Sequence, residues 1–442
     1  MLTVLDLRAE RFDLSRLPRP ARPGEEERAI VADILDRVRE GGDQAVLDLT
    51  ERFDGVRPVS LEVPPAELDR ALRELEPGLR SALEHAARAI SAFYEHERVD
   101  VGPFERDGIE IVTRRQPVQR AGVYAPGGRA PYPSSVLMAA VPARVAGVEE
   151  VVVVSPPEST TGRVADVTLA AARIAGVDRC FAVGGAQAIA ALAVGTETVP
   201  AVDVICGPGN RWVAQAERLV VEQGLVSIPP GFAGPSEVVV IADESVPSDW
   251  AAIDLAVQAE HGPDGLAWLV TWSEGYARSV REALERVVSS ATRSAEITST
   301  LASHGYVALV DDPGRAIEVA NQIAPEHLEL LSDEAAKRAD EVRNAGAVFL
   351  GPYAPASVGD YVAGPSHILP TASSARFAGA LRVDDFCKSL HLVTVTPEGL
   401  LNAAGPVSTI GDAEGLGVHA ESVRMRVESA RSAREPRSRR PT

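Results

Sequence analysis

Four stretches of this chain bring together side chains suited to metal ligation or proton transfer. In "LAVQAEHGPDG" (255–265), Gln258 and His261 stand three residues apart at the end of an apolar helical pattern, just before a Gly-Pro stop. Residues at i and i+3 leave one helix face, so an amide oxygen and an imidazole nitrogen can converge on one point. Both are acceptable ligands for Zn2+ or a similar ion. A solvated helix end has the same pattern, so the pair alone leaves both readings open. "APEHLEL" sets Glu326 beside His327 where a helix gives way to an apolar strand. A carboxylate and an imidazole at one site suit proton transfer near neutral pH. Adjacent strand residues point to opposite faces, however. The two share a cleft only if the chain bends there; otherwise one is an exposed acid and the other a packed histidine. "ASVGDYVAGPSHILPT" offers Asp360, a hard oxygen ligand, and His367 in a Gly/Pro-rich loop. "GDAEGLGVHAES" adds Glu414 and His419. Together Gln258, His261, Asp360 and His419 make a nitrogen/oxygen set large enough for a closed zinc site. His304 and His391 lack such company and are read as structural. The side chains favour a metal-assisted enzyme. A sugar- or peptide-binding module is the competing class, and it would not need a proton-transfer pair beside a metal cage.

The elements that must position these groups follow from hydrophobic periodicity. Val31, Leu35 and Val38 share a helix face, and Gly41-Gly42-Asp43 breaks the chain before "QAVLDLTERFDG" restarts it. Helical patterning continues over 65–100. From about residue 109 the texture changes. "VEEVVVVSPP" is a β-branched run of the kind buried on both faces of a sheet, and helical and strand patterns then alternate: "RCFAVGG", "VDVICGPGN", "EVVVIAD", "LAWLVT", "YVALV", "HLELL" and "AVFLG". Strand alternating with helix at this spacing predicts parallel sheets with crossover helices, and hence two α/β units. In such sheets ligands gather at the carboxyl ends of strands, here "SPPEST", "VGGAQA", "CGPGN", "IADES" and "LGPYAPASVGD". "GVYAPGGRAPYPSS" adds a Gly/Pro-rich loop with Tyr124 and Tyr132 available to pack on a planar ligand. No GxGxxG and no GxxxxGK[ST] occurs, so the common nucleotide fingerprints are absent.

The chain has 442 residues and a formal charge of 44 − 63 = −19, which argues against nucleic acid or an anionic membrane as its main partner. Cys180, Cys206 and Cys387 are odd in number and form no CxxC pair, so a reducing cytoplasm is expected rather than a disulfide framework. The first residues lack the apolar run of a signal peptide, and no run of about 18 apolar residues predicts a membrane span. The last residues, "ARSAREPRSRRPT", have no apolar anchors and are read as disordered.

Nine motifs in order, "GGDQAVLDLTERFDG", "GVYAPGGRAPYPSSVLM", "VGGAQAIAALAVGTETVP", "GPGN", "AGPSEVVVIAD", "QAEHGPD", "PEHLEL", "GDYVAGPSHILPT" and "EGLGVH", resemble those of the L-histidinol dehydrogenase family. The resemblance spans essentially the whole chain apart from the basic tail. It implies an NAD- and zinc-dependent enzyme of histidine biosynthesis that oxidises L-histidinol to L-histidine with two NAD+, through a retained aldehyde. It implies zinc at Gln258, His261, Asp360 and His419, and NAD contacts at Tyr124, Gln187 and Asn210. Substrate contacts are implied at Ser236, His327, His367 and Glu414 as well as at the zinc ligands. Glu326 is implied as the acid/base that activates water, beside His327. The family pattern is a homodimer in which Glu414 and His419 reach the partner's site, and its fold is a pair of Rossmann-like units without the usual fingerprint. Accordingly we divide the chain into a 1–22 N-terminal segment and a discontinuous metal and catalytic α/β domain of 23–122 and 238–380. A second α/β domain of 123–237 carries the NAD contacts, and a 381–428 segment serves the partner's site ahead of a disordered 429–442 tail. Small helical segments are expected at both termini. Ser366 stands where the family usually has Asn, Pro229–Phe232 replace an Asp-containing approach to "AGPSE", and Ser389-Leu390 replace Arg-Thr. These departures bear on substrate identity, since relatives with this fold oxidise other small alcohols such as sulfonated diols. Glu414 is retained and favours an amine-bearing substrate.

Overall fold

The computed structural model describes residues 2–8, 17–19, 24–99, 101–127, 130–229, 234–260, 262 and 265–434. The chain divides into two compact units, Met1–Glu97 with Pro117–Phe386, and Arg98–Gln116 with Cys387–Thr442.

The valine-rich runs of the first unit form the centres of two sheets. In the six-stranded sheet, Glu237–Ile241 lies centrally. Leu266–Thr271, Gly305–Leu309 and Thr3–Asp6 follow on one side, and His327–Leu330 and Ala347–Leu350 on the other. Each of these pairings is parallel. Alternate residues face opposite layers. Val238 and Val240 pack with Leu255 and Val280 of the helices Ser248–Ala259 and Glu274–Ser290. Val239 and Ile241 pack with Trp268 and with Ile317 of the helix Pro313–Ile323. Thr3–Asp6 is a departure from the sequence reading: the N-terminal segment, expected to be helical, contributes an edge strand because its extended backbone completes an open ladder.

The five-stranded sheet repeats the plan. Arg120–Tyr124 pairs with Glu150–Ser155, which pairs with Arg179–Ala182, while Val204–Cys206 lies on the other side of Arg120–Tyr124. Glu62–Val63 adds an antiparallel edge. Both sheets therefore step outward and then jump back across their first strand, the doubly wound order with a switch point. The helix Glu25–Asp54 bends at Gly42, whose φ of 54° and ψ of −140° suit glycine. Its apolar stripe, Val31, Leu35, Val38, Val46 and Leu49, enters one core with Ile189 and Leu192. The buried apolar side chains of residues 25–63, grouped with 238–380 on the sequence, pack instead in the core of this second sheet. The strand Arg120–Tyr124 also crosses the division set at 122/123. An apolar stripe specifies that a helix is buried, not which sheet buries it.

The second unit contains a three-stranded sheet in the order Cys387–Val395, Ile109–Pro117, Phe104–Arg106. Asp107 and Gly108, both at positive φ, turn the hairpin between the last two. The helices Pro397–Ala413 and Gly417–Arg434 pack on each other. The latter runs into the stretch expected to be disordered, and 435–442 lie outside the described residues. No helix among the described residues is long and apolar enough to cross a membrane.

Candidate active site

A cleft of about 680 Å³ lies in the first unit, between the carboxyl end of the five-stranded sheet and the amino end of the six-stranded sheet. Tyr124, Pro208, Gly209 and Asn210 line the former side, as the strand-end rule predicts. Ser236, Gly265, Glu326 and His327 line the latter from positions at or just before strand starts. The "IADES" loop, at a carboxyl strand end, is not among the lining residues. The rule therefore holds for one sheet; in the other, Asp360 of the carboxyl-end stretch "LGPYAPASVGD" reaches the cleft, but the remaining contributions come from amino ends of strands.

Gln258 is buried, at 2% exposure, and lines the cleft. Its helix buries Ala251, Asp254, Leu255 and Gln258, an i, i+3, i+4, i+7 stripe, so the helix end is packed rather than solvated. Glu326 and His327 are both buried and both line the cleft. The helix before them ends at Ala324, held at a left-handed φ of 54°, and the chain bends before the strand begins at His327. That bend lets adjacent residues share one wall. Asp360 comes from the short helix Ala356–Tyr361, and His367 from the loop after it.

The charges are tightly arranged. His327 Nδ1 donates to the Glu237 carbonyl at 3.3 Å and lies 3.5 Å from Glu326 Oε2, while Nε2 lies 3.4 Å from Asp360 Oδ1. Burial pulls the His327 pKa down, but Glu326 and Asp360 outweigh it and hold the pKa well above the usual histidine value. Glu326 Oε2 accepts the Glu237 backbone N–H at 2.8 Å. The Glu237 side chain accepts from Ala372 N–H at 2.9 Å, and burial together with Glu326 pushes its pKa to about 8. His367 donates from Nδ1 to the Asp360 carbonyl at 3.0 Å, which leaves Nε2 to accept from the Ser135 hydroxyl at 3.3 Å. Burial lowers the His367 pKa, so its ring is neutral near pH 7. Ser366, one of the departures, is fully used. Its N–H donates to Tyr94, its hydroxyl donates to the Met138 carbonyl, and its oxygen accepts from Ile368 N–H. It braces the His367 loop without facing the cleft.

On the opposite wall, Asn210 caps the helix Arg211–Glu222, accepting from Trp212 and Val213 N–H, so the positive end of that helix opens on the cleft. The Tyr124 hydroxyl accepts Gly185 N–H at 3.1 Å, and burial pushes its pKa to about 12. Gln187 does not line the cleft. It folds back toward Gly185 behind Tyr124, fully buried, and both of its amide atoms lack a partner. Gly209 permits close approach, since a Cβ there would strike Val213.

Near Tyr124 lies Glu217, 4% exposed, with Oε1 unpartnered and its pKa pushed by burial to about 8. A raised folded pKa means stability that is present below the ordinary value of 4.5 and is lost as pH rises toward about 8. Replacing Glu217 by Gln is expected to flatten the decline of the unfolding free energy between about pH 5 and about pH 8, by on the order of 1 kcal/mol per pH unit, and with it the decline of the melting temperature. Melting curves that decline equally in parent and variant would exclude this site as a source.

Of the residues singled out on the sequence, Tyr124, Asn210, Ser236, Gln258, Glu326, His327, Asp360 and His367 are brought to one cleft. His261 lies outside the described residues. Glu414 and His419 are exposed on the second unit. Among the described residues no group of three or more His, Cys, Asp or Glu is arranged as a metal site. Among the described residues, Gln258 and Asp360 are the members of the four-ligand set that line the cleft. Sequence reasoning missed Glu237 and Ser135. The signal for Glu237 was an acid opening a strand whose other residues are all apolar; Ser135, in a helix start rich in small residues, gave none.

The sequence profile of the histidinol dehydrogenase family matches residues 17–427. The histidinol dehydrogenase of Parasynechococcus marenigrum (strain WH8102) is 46% identical over 428 residues, covering 96% of this chain and 97% of that protein. That of Aquifex aeolicus (strain VF5) is 46% identical over 432 residues, covering 96% and 99%. The crystal structure of histidinol dehydrogenase from Elizabethkingia anophelis superposes with a TM-score of 0.92 at 30% identity, covering 97% of this chain and 99% of that one.

Proposed function

The chain belongs to the histidinol dehydrogenase family of NAD-dependent oxidoreductases, and from that premise we propose that it oxidises L-histidinol to L-histidine with two NAD+, through L-histidinaldehyde retained in the cleft, with zinc as its resident metal. The observation that carries this is the meeting of Gln258, Asp360, Glu326 and His327 on one wall with Tyr124 and Asn210 on the other. Candidate metal ligands, a proton-transfer pair and a wall suited to a nucleotide are what a zinc-assisted alcohol dehydrogenation needs in one place.

The residues present suit both absent groups. Gln258 and Asp360 offer oxygen ligands, His261 and His419 imidazole nitrogens, a set that suits zinc. The unpartnered Gln187 amide and the Asn210-capped helix end suit a dinucleotide. Zinc would orient the substrate's imidazole and amine and take up part of the Asp360 charge, and NAD+ would accept the hydride. Asp360 bound to zinc would no longer hold a proton on the His327 ring; Nδ1 keeps its hydrogen on the Glu237 carbonyl, so Nε2 is the atom left to take the hydroxyl proton as the alcohol carbon loses hydride. Glu326 is held through Oε2 by Glu237 N–H, which leaves Oε1 to take a proton from water adding to the aldehyde. The hydrate then gives up the second hydride and becomes the carboxylate. Ser236 and His367 line the same space as polar contacts for substrate.

The second unit supports a homodimer with a shared site. Leu392, Val393 and Val395 on its outer strand, and Val418 and Met425 on the helix that carries His419, are 43–83% exposed. Apolar surface of this kind marks an interface. Buried free cysteines at 180 and 206 accord with a cytoplasmic enzyme.

The test is steady-state NADH formation from L-histidinol. Chelation is expected to lower it at least roughly a hundredfold, and added zinc to restore it. Faster turnover of a sulfonated diol than of L-histidinol would replace the substrate assignment. Background NADH with any alcohol, before chelation and after re-metallation, would remove the catalytic reading.

A further inference from the structure

We propose that the buried carboxyl pair Asp254–Glu329 is a positioning device that ties together the three elements carrying Gln258, His327 and Asp360. This rests on the functional reading above, since its consequence is the spacing of those groups around the metal and substrate.

Glu329 is 1% exposed on the strand His327–Leu330, two residues beyond His327, so both side chains leave the same face. Its Oε1 accepts the backbone N–H of Ala356 at 2.7 Å. Ala356 opens the short helix Ala356–Tyr361 that presents Asp360, and its N–H has no partner within that helix. The same carboxyl is hydrogen-bonded to the side chain of Asp254, 8% exposed and one turn before Gln258 on the helix Ser248–Ala259. One buried group therefore touches a strand, the start of one helix and the last turns of another. Each of these elements ends at the cleft.

The pair works only with a proton between its members. As two carboxylates, Glu329 Oε2 has no donor and the charges repel. Burial pushes both groups up, Glu329 further because of Asp254, so one proton is shared and one negative charge remains. Apolar side chains at these positions would complete the sheet and helix packing without that strain. What they could not do is hold Ala356 and the Ser248–Ala259 helix to one point.

The test uses the full-length protein and three readouts: zinc affinity by competition with a chromogenic chelator, KM and kcat for L-histidinol, and thermal unfolding. Glu329→Gln and Asp254→Asn keep both hydrogen bonds and the single negative charge, and are expected to stay within about threefold of the parent in zinc affinity and KM. Glu329→Leu is expected to unfold cooperatively yet bind zinc at least about tenfold more weakly, with a matching rise in KM, as for other groups that orient metal ligands. A Glu329→Leu protein with parental zinc affinity and KM but a lowered melting temperature would overturn the proposal, as would a tenfold loss in Glu329→Gln. Should Glu329→Leu not fold, Asp254→Leu is read the same way, and should neither fold, Glu329→Gln decides. A parent protein that binds no zinc and makes no NADH defeats the functional reading, and this inference falls with it.

Discussion

Glu326→Gln is expected to lower oxidation of L-histidinaldehyde by about a thousandfold while leaving oxidation of L-histidinol within roughly tenfold of the parent. The amide is the same size, and its oxygen still accepts the Glu237 N–H that holds the parent side chain. What it loses is the ability to take a proton from water, a step that only the second oxidation contains. The residual effect on the first oxidation comes through His327. Glu326 is one of the two carboxylates that raise its pKa against the pull of burial, so the variant's alcohol limb is expected to shift to lower pH. Supplying alcohol and aldehyde separately, over a pH series, measures both limbs. Equal loss in the two half-reactions would contradict the division of labour between Glu326 and His327.

The second large effect is a gain. His419→Ala and Gln258→Ala proteins are each expected to be inactive, and mixed subunits to recover about a quarter of parental activity. The arithmetic follows from symmetry. With the proposed shared site, random pairing would make about half of the dimers hybrids, each with one intact site, because an unaltered Gln258 body would meet an unaltered His419 only across the interface. Gln258 is buried at the cleft of the first unit, whereas His419 is exposed on the helix Gly417–Arg434 of the second. Verified hybrids without recovery would sink the shared site.

Much of the fold was legible because buried β-branched runs and 3.6-residue stripes are local signals. "EVVVIAD" and "VVVVS" became strands with every central residue buried, and Gly42 bent its helix where the glycine pair predicted a break. The candidate site was legible as a set of residue types. Gln258 and Glu326, ambiguous as a solvated helix end and an exposed acid, turned out buried at the cleft. Their environments depend on neighbours far away in the sequence, such as Glu237 for Glu326, 89 residues apart, which no local pattern encodes.

What the sequence by itself determined is the inventory: two α/β units, an acid beside a histidine, ligand-type side chains at the end of one helix, and the family these motifs mark. Tertiary structure alone decided that the six-stranded sheet meets the cleft with its amino ends, and that the Glu25–Asp54 helix serves the other sheet. It also decided that Glu237, Asp254 and Glu329 stand behind the visible residues as buried acids. The physical reason is that periodicity records whether a side chain leaves water, while its partner, and with it its charge state, is set by which distant surface closes over it.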